Sequence, residues 1–90
     1  KRQEQDNRSI TNFPIIIQEN NAIHIYSNIL LNNMDITIKD SSNNIIQSVF
    51  ITVVPNQPTA IKIVTTEKGD YKIELRYNQV SLYGYFSIMP

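Results

Sequence analysis

The only histidine of the 90-residue chain, His24, alternates with apolar neighbours on a short extended segment, between Ile23 and Ile25. An imidazole works as a general base when a carboxylate orients it and a nucleophile lies within hydrogen-bond reach. Asp35 or Asp70 could supply the carboxylate, but nothing in the spacing places either of them near His24. We therefore predict a surface or half-buried histidine without a role in catalysis.

The polar segment that begins at Asp40 is a second place that could do chemistry. Asp40, Asn43 and Asn44 offer the oxygen ligands that Ca²⁺ prefers. The spacing lacks the alternating acidic residues and the closing glutamate of an EF-hand loop. Aspartate and asparagine are also common in turns, because their side chains hydrogen-bond to the nearby backbone. We therefore interpret the segment as a turn, and we predict neither a metal site nor a cofactor.

Tyr83 and Tyr85 are the strongest candidates for binding. They are two residues apart, so they point to the same side of a strand. Rings in a row can stack on sugars or anchor a protein partner, since tyrosine offers contact area and a hydroxyl at low entropic cost. Tyr26 and His24, on another strand, could extend this surface. The sequence thus offers these four residues as a candidate binding surface for a protein or a surface glycan.

Composition excludes several other classes of function. Lys and Arg together number 8, as do Asp and Glu, so the formal net charge is zero, which argues against nucleic-acid binding. Cysteine is absent, which removes disulfides, thiol catalysis and cysteine-ligated zinc. No apolar run approaches the roughly 18 residues of a membrane-spanning helix. The 2 glycines cannot build a glycine-rich phosphate loop.

The elements that must position the candidate residues are short strands, because apolar and polar residues alternate with a period of two. Isoleucine is frequent, and its branched Cβ favours strands over helices. Hydrophobic residues make up 41% of the chain, enough for one core. We predict a flexible polar leader over residues 1–13 and a single domain over residues 14–90. The predicted strands are 15–18, 22–27, 34–39, 45–54, 59–66, 71–77 and 80–88.

This succession of strands predicts an all-β fold. Seven short strands separated by turn residues, at intervals of roughly ten residues, are typical of an antiparallel β-sandwich of the immunoglobulin-like kind. A small closed barrel is the alternative. The cysteine and tryptophan residues of the antibody-domain core are missing, so only the sandwich architecture is implied.

The last two strands have the most strongly specified register. If residues 78–79 form a two-residue hairpin loop, every pair on one face is apolar, whereas a shift by one residue would set charged groups against apolar ones. On the other face Tyr83 is then opposite Glu74. Tyr85 is opposite Lys72, so the two tyrosines could instead serve as cross-strand cover. The predicted apolar pairs are Tyr77–Val80, Leu75–Leu82, Ile73–Gly84 and Tyr71–Phe86.

Three further predictions concern packing. Tyr71 follows a turn, and we expect its hydroxyl to bond back to the preceding loop, as in a tyrosine corner. The segment Asn28–Asn33, with Leu30 and Leu31, is expected to be a loop. The apolar run Val49–Val54 is expected to lie in an internal strand. The phase of that strand, residues 45–54, is unclear, and either a bulge or a strand that crosses between the sheets would explain it. At a sheet edge the run would allow a homodimer by strand addition.

Four segments of the chain carry a family resemblance: DITIKD (35–40), NII (44–46), KGDYKIEL (68–75) and LYGYFSI (82–88). Together they resemble a family of small exported bacterial domains of unknown function with an immunoglobulin-like or fibronectin-like sandwich. The resemblance implies an export signal that has been removed, and a secreted, periplasmic or cell-surface location. It implies no established activity and supplies no catalytic residue. One departure is the turn over residues 41–44, which lacks the glycine common in such turns.

Two functional hypotheses follow. The first is a non-catalytic exported module for interaction or adhesion, whose partner is a protein or a surface glycan. The second is a structural accessory module without a ligand, which could self-associate through an edge strand. We do not expect an enzyme, because the sequence offers scattered single groups rather than a nucleophile–base pair or paired carboxylates.

Overall fold

The computed structural model of the protein describes residues 14–19, 21–65 and 67–89, and over these residues it contains only strands and their connections. The strands form two antiparallel sheets packed as a β-sandwich, which confirms the predicted fold class. The predicted leader over residues 1–13 lies outside the described residues. The seven strands are β1 (Ile15–Glu19), β2 (Ala22–Tyr26), β3 (Leu31–Asp40), β4 (Ile45–Val53), β5 (Thr59–Lys62), β6 (Gly69–Tyr77) and β7 (Val80–Ile88).

One sheet has the strand order β1-β2-β5 and the other has the order β4-β3-β6-β7. The arrangement is immunoglobulin-like with one difference. In constant-type immunoglobulin domains the fourth strand joins the sheet of the first, second and fifth strands, whereas here β4 pairs with β3. Because β4 belongs to the second sheet, that sheet presents an outer face four strands wide.

Both sheets bury the face on which isoleucine predominates. On β2, Ile23 and Ile25 are buried, whereas His24 and Tyr26 point away from the core. Burial of one such side chain stabilises the fold by about 1.5–3 kcal/mol, which outweighs intrinsic strand propensity. The other core residues are Leu31, Met34, Ile36, Ile38, Val53, Ile61, Ile63, Tyr71, Ile73, Leu75 and Tyr77.

The hairpin between β6 and β7 has the predicted register. Tyr77 pairs with Val80, and the other three predicted apolar pairs follow in order. Asn78 and Gln79 have φ angles of 46° and 68°. A two-residue turn with positive φ at both positions matches the twist of the strands that it joins. The turn therefore sets which side chains of β7 reach the core.

Tyr71 forms the predicted tyrosine corner. Its hydroxyl donates a hydrogen bond of 2.7 Å to the backbone carbonyl of Glu67, four residues earlier. Its ring stacks on that of Phe86, with centroids 5.5 Å apart. The corner anchors the connection between the two sheets to the start of β6.

The start of β3 differs from the prediction. Leu31, expected in a loop beside Leu30, begins the strand and is fully buried opposite Val53. The register shifts between Leu31 and Met34, and Asn33 has a φ of 54°. This irregularity lets two residues that are three apart both point into the core. Because the period of two is broken there, alternation alone placed the start of the strand at Met34.

The prediction of an internal strand for the run Val49–Val54 is wrong, because β4 lies at the edge of its sheet. Of the two explanations for the unclear phase of this strand, the structure shows the bulge, and β4 stays within one sheet. Ile38 pairs with Gln47 and Lys39 with Ile45, so Ile46 is the extra residue. The bulge shifts the alternation of β4, which explains why both of its faces carry apolar residues.

β5 ends at Lys62, four residues earlier than predicted. Beyond the end of β5, the side chain of Gln47, on β4, hydrogen-bonds to the backbone. Its amide nitrogen donates to the Lys62 carbonyl at 2.9 Å, and its amide oxygen accepts from the Val64 backbone at 3.0 Å. This single side chain links the two sheets along the side where β4 and β5 lie.

Candidate functional site

Two tyrosines stand out on the outer face of the four-stranded sheet. Tyr83 and Tyr85 are 66% and 74% exposed. Their ring centroids are 5.9 Å apart and their planes meet at 83°, an edge-to-face contact that fixes both rings while leaving them accessible. We call this surface the tyrosine face and define it by Lys39, Lys72, Glu74, Arg76, Tyr83 and Tyr85.

Glu74 lies at the centre of the tyrosine face and contacts three cations. One carboxylate oxygen, Oε2, is 3.4 Å from Lys39 Nζ and 3.3 Å from Lys72 Nζ. The other, Oε1, is 3.4 Å from Arg76 Nη2. The side chain of Glu74 is only 17% exposed, and Asp35 is the residue paired with Arg76 across the sheet. The face therefore keeps an excess of positive charge, and Arg76, whose side chain is 51% exposed, is the most exposed of the three cations.

Opposing effects act on the Glu74 carboxyl. Burial disfavours the charged form and raises the pKa, but hydrogen bonds from Lys72 and Lys39, together with their charges, lower it more strongly. The resulting pKa lies below the ordinary value of 4.5. Glu74 is thus ionised at neutral pH, and its role is to hold the cations in place rather than to donate a proton.

The contact between Lys72 and the tyrosines differs in detail from the prediction. The register is confirmed, with Lys72 opposite Tyr85 and Glu74 opposite Tyr83. The Lys72 ammonium nevertheless reaches diagonally and lies 5.0 Å from the centroid of the Tyr83 ring. Tyr83 therefore contacts the Lys72 ammonium as well as the Tyr85 ring. It covers a neighbouring strand and yet remains mostly exposed.

Sequence analysis missed the apolar side chains at the opposite edge of the same face. Phe50 and Ile45, on β4, are 67% and 65% exposed. Phe50 pairs with Asp35, so it belongs to the outer face. The alternation of Val49 with Ile51 could have indicated this, because both of them face the core side.

Tyr26 and His24 lie on the opposite side of the sandwich, so the four candidate residues do not form one surface. Both belong to β2 and point outwards from the three-stranded sheet. His24 Nε2 is 3.4 Å from Glu19 Oε1. Asp35 and Asp70, the carboxylates considered from the sequence, belong to the other sheet. The structure thus brings Tyr83 and Tyr85 together and separates them from the other two candidates.

Comparison with known families shows to which family the chain belongs. The model of a family described as a domain of unknown function (DUF3244) matches residues 1–88. The chain belongs to the DUF3244 family. No curated protein matches the sequence. The predicted membership of a family of small domains of unknown function with a sandwich fold is therefore confirmed.

The turn after β3 of this DUF3244 domain is organised by Asp40. Its Oδ1 accepts backbone hydrogen bonds of 2.9 Å from Ser42 and from Asn44, and its Oδ2 accepts one of 3.2 Å from the Asn44 side chain. The bonds from Asn44 are the main reason why the pKa of Asp40 is lowered. Asn43, with a φ of 70°, takes the conformation for which related turns use glycine.

Among the described residues, no three potential ligands of the types His, Cys, Asp and Glu lie together in a way that could hold a metal ion. The same part of the chain contains no helix that is long and apolar enough to cross a membrane.

A cleft of about 370 Å³ lies between β1 and β7 of the DUF3244 domain. Its apolar walls include Ile16, Leu82 and Phe86, and it meets the tyrosine face at Tyr83. The cleft is open at Gly84, where an added Cβ would have no atom within 4 Å. Because side chains alternate along β7, the cleft is on the inner side of this edge strand, and a ligand on the tyrosine face would reach it around the β7 edge.

Proposed function

We propose that this DUF3244 domain is a non-catalytic interaction module that binds a protein partner through the tyrosine face. The observation that carries the proposal is the exposure of Tyr83 and Tyr85, 66% and 74%, beside a cluster of ion pairs. Tyrosine and arginine are enriched among the residues that dominate binding energy in protein interfaces. Arg76 retains 51% side-chain exposure and supplies the arginine of this set.

The geometry favours a protein partner over a glycan. The planes of Tyr83 and Tyr85 are 83° apart, so the two rings cannot both lie flat against successive sugar rings. The apolar cleft beside them suits an aliphatic or aromatic side chain. A surface glycan is the alternative ligand, and the experiment below distinguishes the two.

The surroundings of His24 support a non-catalytic role. Its carboxylate partner, Glu19, has a side chain that is 70% exposed. The residues paired with His24 on either side are Ile17 and Ala60, and neither carries a nucleophile. A general base needs a positioned nucleophile, which these neighbours do not supply.

We also propose that the domain is bacterial and acts outside the cytoplasm, as a secreted, periplasmic or cell-surface protein. The support is the resemblance to exported bacterial domains carried by segments such as 35–40 and 82–88. Fractionation of cells that produce the full-length protein tests this location. Recovery in the cytoplasmic fraction alone would contradict it.

The binding proposal is tested with the double variant Tyr83→Ala/Tyr85→Ala on arrays of purified extracellular proteins and of glycans. We expect the unmodified domain to bind at least one protein. The double variant should bind it at least tenfold more weakly, because truncation at an interface centre removes about 2 kcal/mol or more. Circular dichroism should show that the variant keeps its fold.

The matched control is Tyr26→Ala, which removes a 40% exposed ring from the opposite side of the sandwich. This variant should bind as the unmodified domain does. Equal binding by the double variant would refute the tyrosine face as the site. Binding to glycans but to no protein would replace the protein partner by a glycan.

A further inference from the structure

The outer face of the three-stranded sheet carries an apolar patch on its β1 side, and His24 lies in the middle of its central strand β2. We call it the apolar face and define it by its outward side chains, which are Ile15, Ile17, Glu19, Ala22, His24, Tyr26, Ala60 and Lys62. Ile15, Ile17 and Tyr26 are 61%, 46% and 40% exposed. A contiguous exposed apolar patch on a small domain marks an interaction surface.

We propose that the apolar face binds a second copy of the same chain, with a two-fold axis that runs parallel to the strands. In such a dimer the central strand β2 lies over β2 of the second copy. The edge strand β1 lies over β5 of the second copy, and β5 lies over β1 of the second copy. The same patch is then used twice, which is the arrangement of a closed symmetric dimer.

Side-chain size supports this axis. His24 pairs with Ile17 of β1 on one side and with Ala60 of β5 on the other, so the three residues form one row across the sheet. Ile17 is bulky and Ala60 is small. The two-fold axis places each Ile17 over Ala60 of the second copy. Bulky residues thus meet small ones at both edges, which allows the two faces to approach closely.

Charge supports the same axis independently. Glu19 pairs with Ala22, which in turn pairs with Lys62, so the two opposite charges lie in one row at the two edges of the face. Rotation about the axis sets each Glu19 over Lys62 of the second copy. The dimer therefore gains two ion pairs between copies, and an axis perpendicular to the strands would not form them.

The size of the face sets the expected strength. Three strands span about 14 Å and five residues of strand span about 17 Å. Two such faces bury roughly 500 Å² in total, less than standard specific complexes bury, so we expect a weak dimer with a dissociation constant on the order of 100 µM. The tyrosine faces lie on the opposite sides of both copies and stay accessible, so a dimer would present two of them.

The test uses sedimentation equilibrium of the unmodified domain and of two charge-reversal variants, Glu19→Lys and Lys62→Glu, from about 10 µM to about 1 mM. The unmodified domain should show a mass that rises with concentration towards that of a dimer. Each variant alone sets like charges over one another twice, so its dimerisation should weaken about tenfold. An equimolar mixture of the two variants should recover dimerisation, because every charge contact between the copies is again attractive.

The mixture is the decisive measurement. Glu19→Lys also removes the contact with His24 within its own chain, and mixing cannot restore that contact. Recovery in the mixture can therefore come only from contacts between copies. The control Phe50→Asp, at the β4 edge of the other sheet, should dimerise like the unmodified domain.

Three outcomes would overturn the proposal. The first is a monomeric mass for the unmodified domain up to about 1 mM, roughly tenfold above the expected dissociation constant. The second is a mixture of variants that dimerises no better than either variant alone. The third is loss of the dimer in Phe50→Asp, which would place the contact at the β4 edge instead.

Discussion

Each outer face of the sandwich carries a glutamate, and the two glutamates differ in exposure and in the number of cations that they contact. On the tyrosine face Glu74 lies in the middle of the sheet, its side chain is 17% exposed, and it contacts three cations. On the apolar face Glu19 lies on the edge strand β1, its side chain is 70% exposed, and it contacts His24. The Glu74 carboxylate thus holds several cations in place, whereas the Glu19 carboxylate is largely solvated.

This difference follows from the position of each strand in its sheet, because an internal strand has neighbours on both sides that can supply charged partners. Glu74 is on β6, which has a strand on each side, so long cationic side chains from β3 and β6 can converge on it. Glu19 is on β1, which among the described residues has a neighbouring strand on one side only. A partly dehydrated carboxylate interacts more strongly with nearby cations than a solvated one.

The largest expected effect that tests this comparison is on stability. Glu74→Gln should lower the free energy of unfolding by about 2 kcal/mol, because it leaves three cations without their counter-charge in a half-buried place. The matched change Glu19→Gln should cost less than about 0.5 kcal/mol, as is usual for an exposed pair. Urea denaturation at neutral pH measures both. Equal losses would show that the two carboxylates do not differ.

The pH dependence of stability sharpens the same comparison. The pKa of Glu74 in the folded chain lies below its ordinary value of 4.5, so its stabilising contribution is complete above that pH. The contribution is lost as the pH falls through the lowered pKa. The stability difference between the unmodified domain and Glu74→Gln should therefore shrink below pH 4.5. A difference that stays constant down to pH 2 would contradict the role of the charge.

The next effect concerns the anchor of β6, the strand that carries Glu74. Tyr71→Phe removes the hydroxyl that donates to the Glu67 carbonyl and should cost about 1 kcal/mol. Tyr26→Phe removes a hydroxyl from a 40% exposed ring on the apolar face and should change stability by less than about 0.5 kcal/mol. Thermal denaturation of the two variants gives the comparison. A harmless Tyr71→Phe would mean that the corner does not anchor the strand.

The smallest effect is that of a single cation on each face. Lys72→Met removes an ammonium that contacts both Glu74 and the Tyr83 ring, and should cost about 0.5 kcal/mol. Lys62→Met, on the apolar face, should leave the midpoint of urea denaturation unchanged at concentrations where the domain is monomeric. Comparison of midpoints at constant slope resolves such a difference. A shift of the same size in both variants would erase the distinction between the faces.

Several local features could be predicted from the sequence because they depend on residues close together in the chain. The hairpin at residues 78–79 needs two residues that tolerate positive φ, and its register follows from apolar pairing within one connection. The Tyr71 corner likewise joins residues four apart. The sandwich itself follows from repeated period-two segments with turn residues between them.

The make-up of the candidate site could be predicted only in part. The juxtaposition of Tyr83 and Tyr85 follows from their spacing on one strand. The Glu74 network does not, because Lys39 reaches it through the pairing of β3 with β6, which are separated in sequence by two other strands. The alternation of Val49 with Ile51 is consistent with an outward Phe50, but the bulge at Ile46 reverses the alternation before it, so no single phase fits the whole of β4.

Alternation and turn chemistry in this sequence thus determined that the chain forms strands, where the tight turns lie and which side of most strands is apolar. Tertiary structure alone decided which sheet each strand joins, and so it placed Tyr26 and His24 on one side of the molecule and Tyr83 on the other. The physical reason is that a period of two reports only whether a side chain faces the core. Sheet membership is set by packing between segments that are distant in sequence, which no local pattern contains.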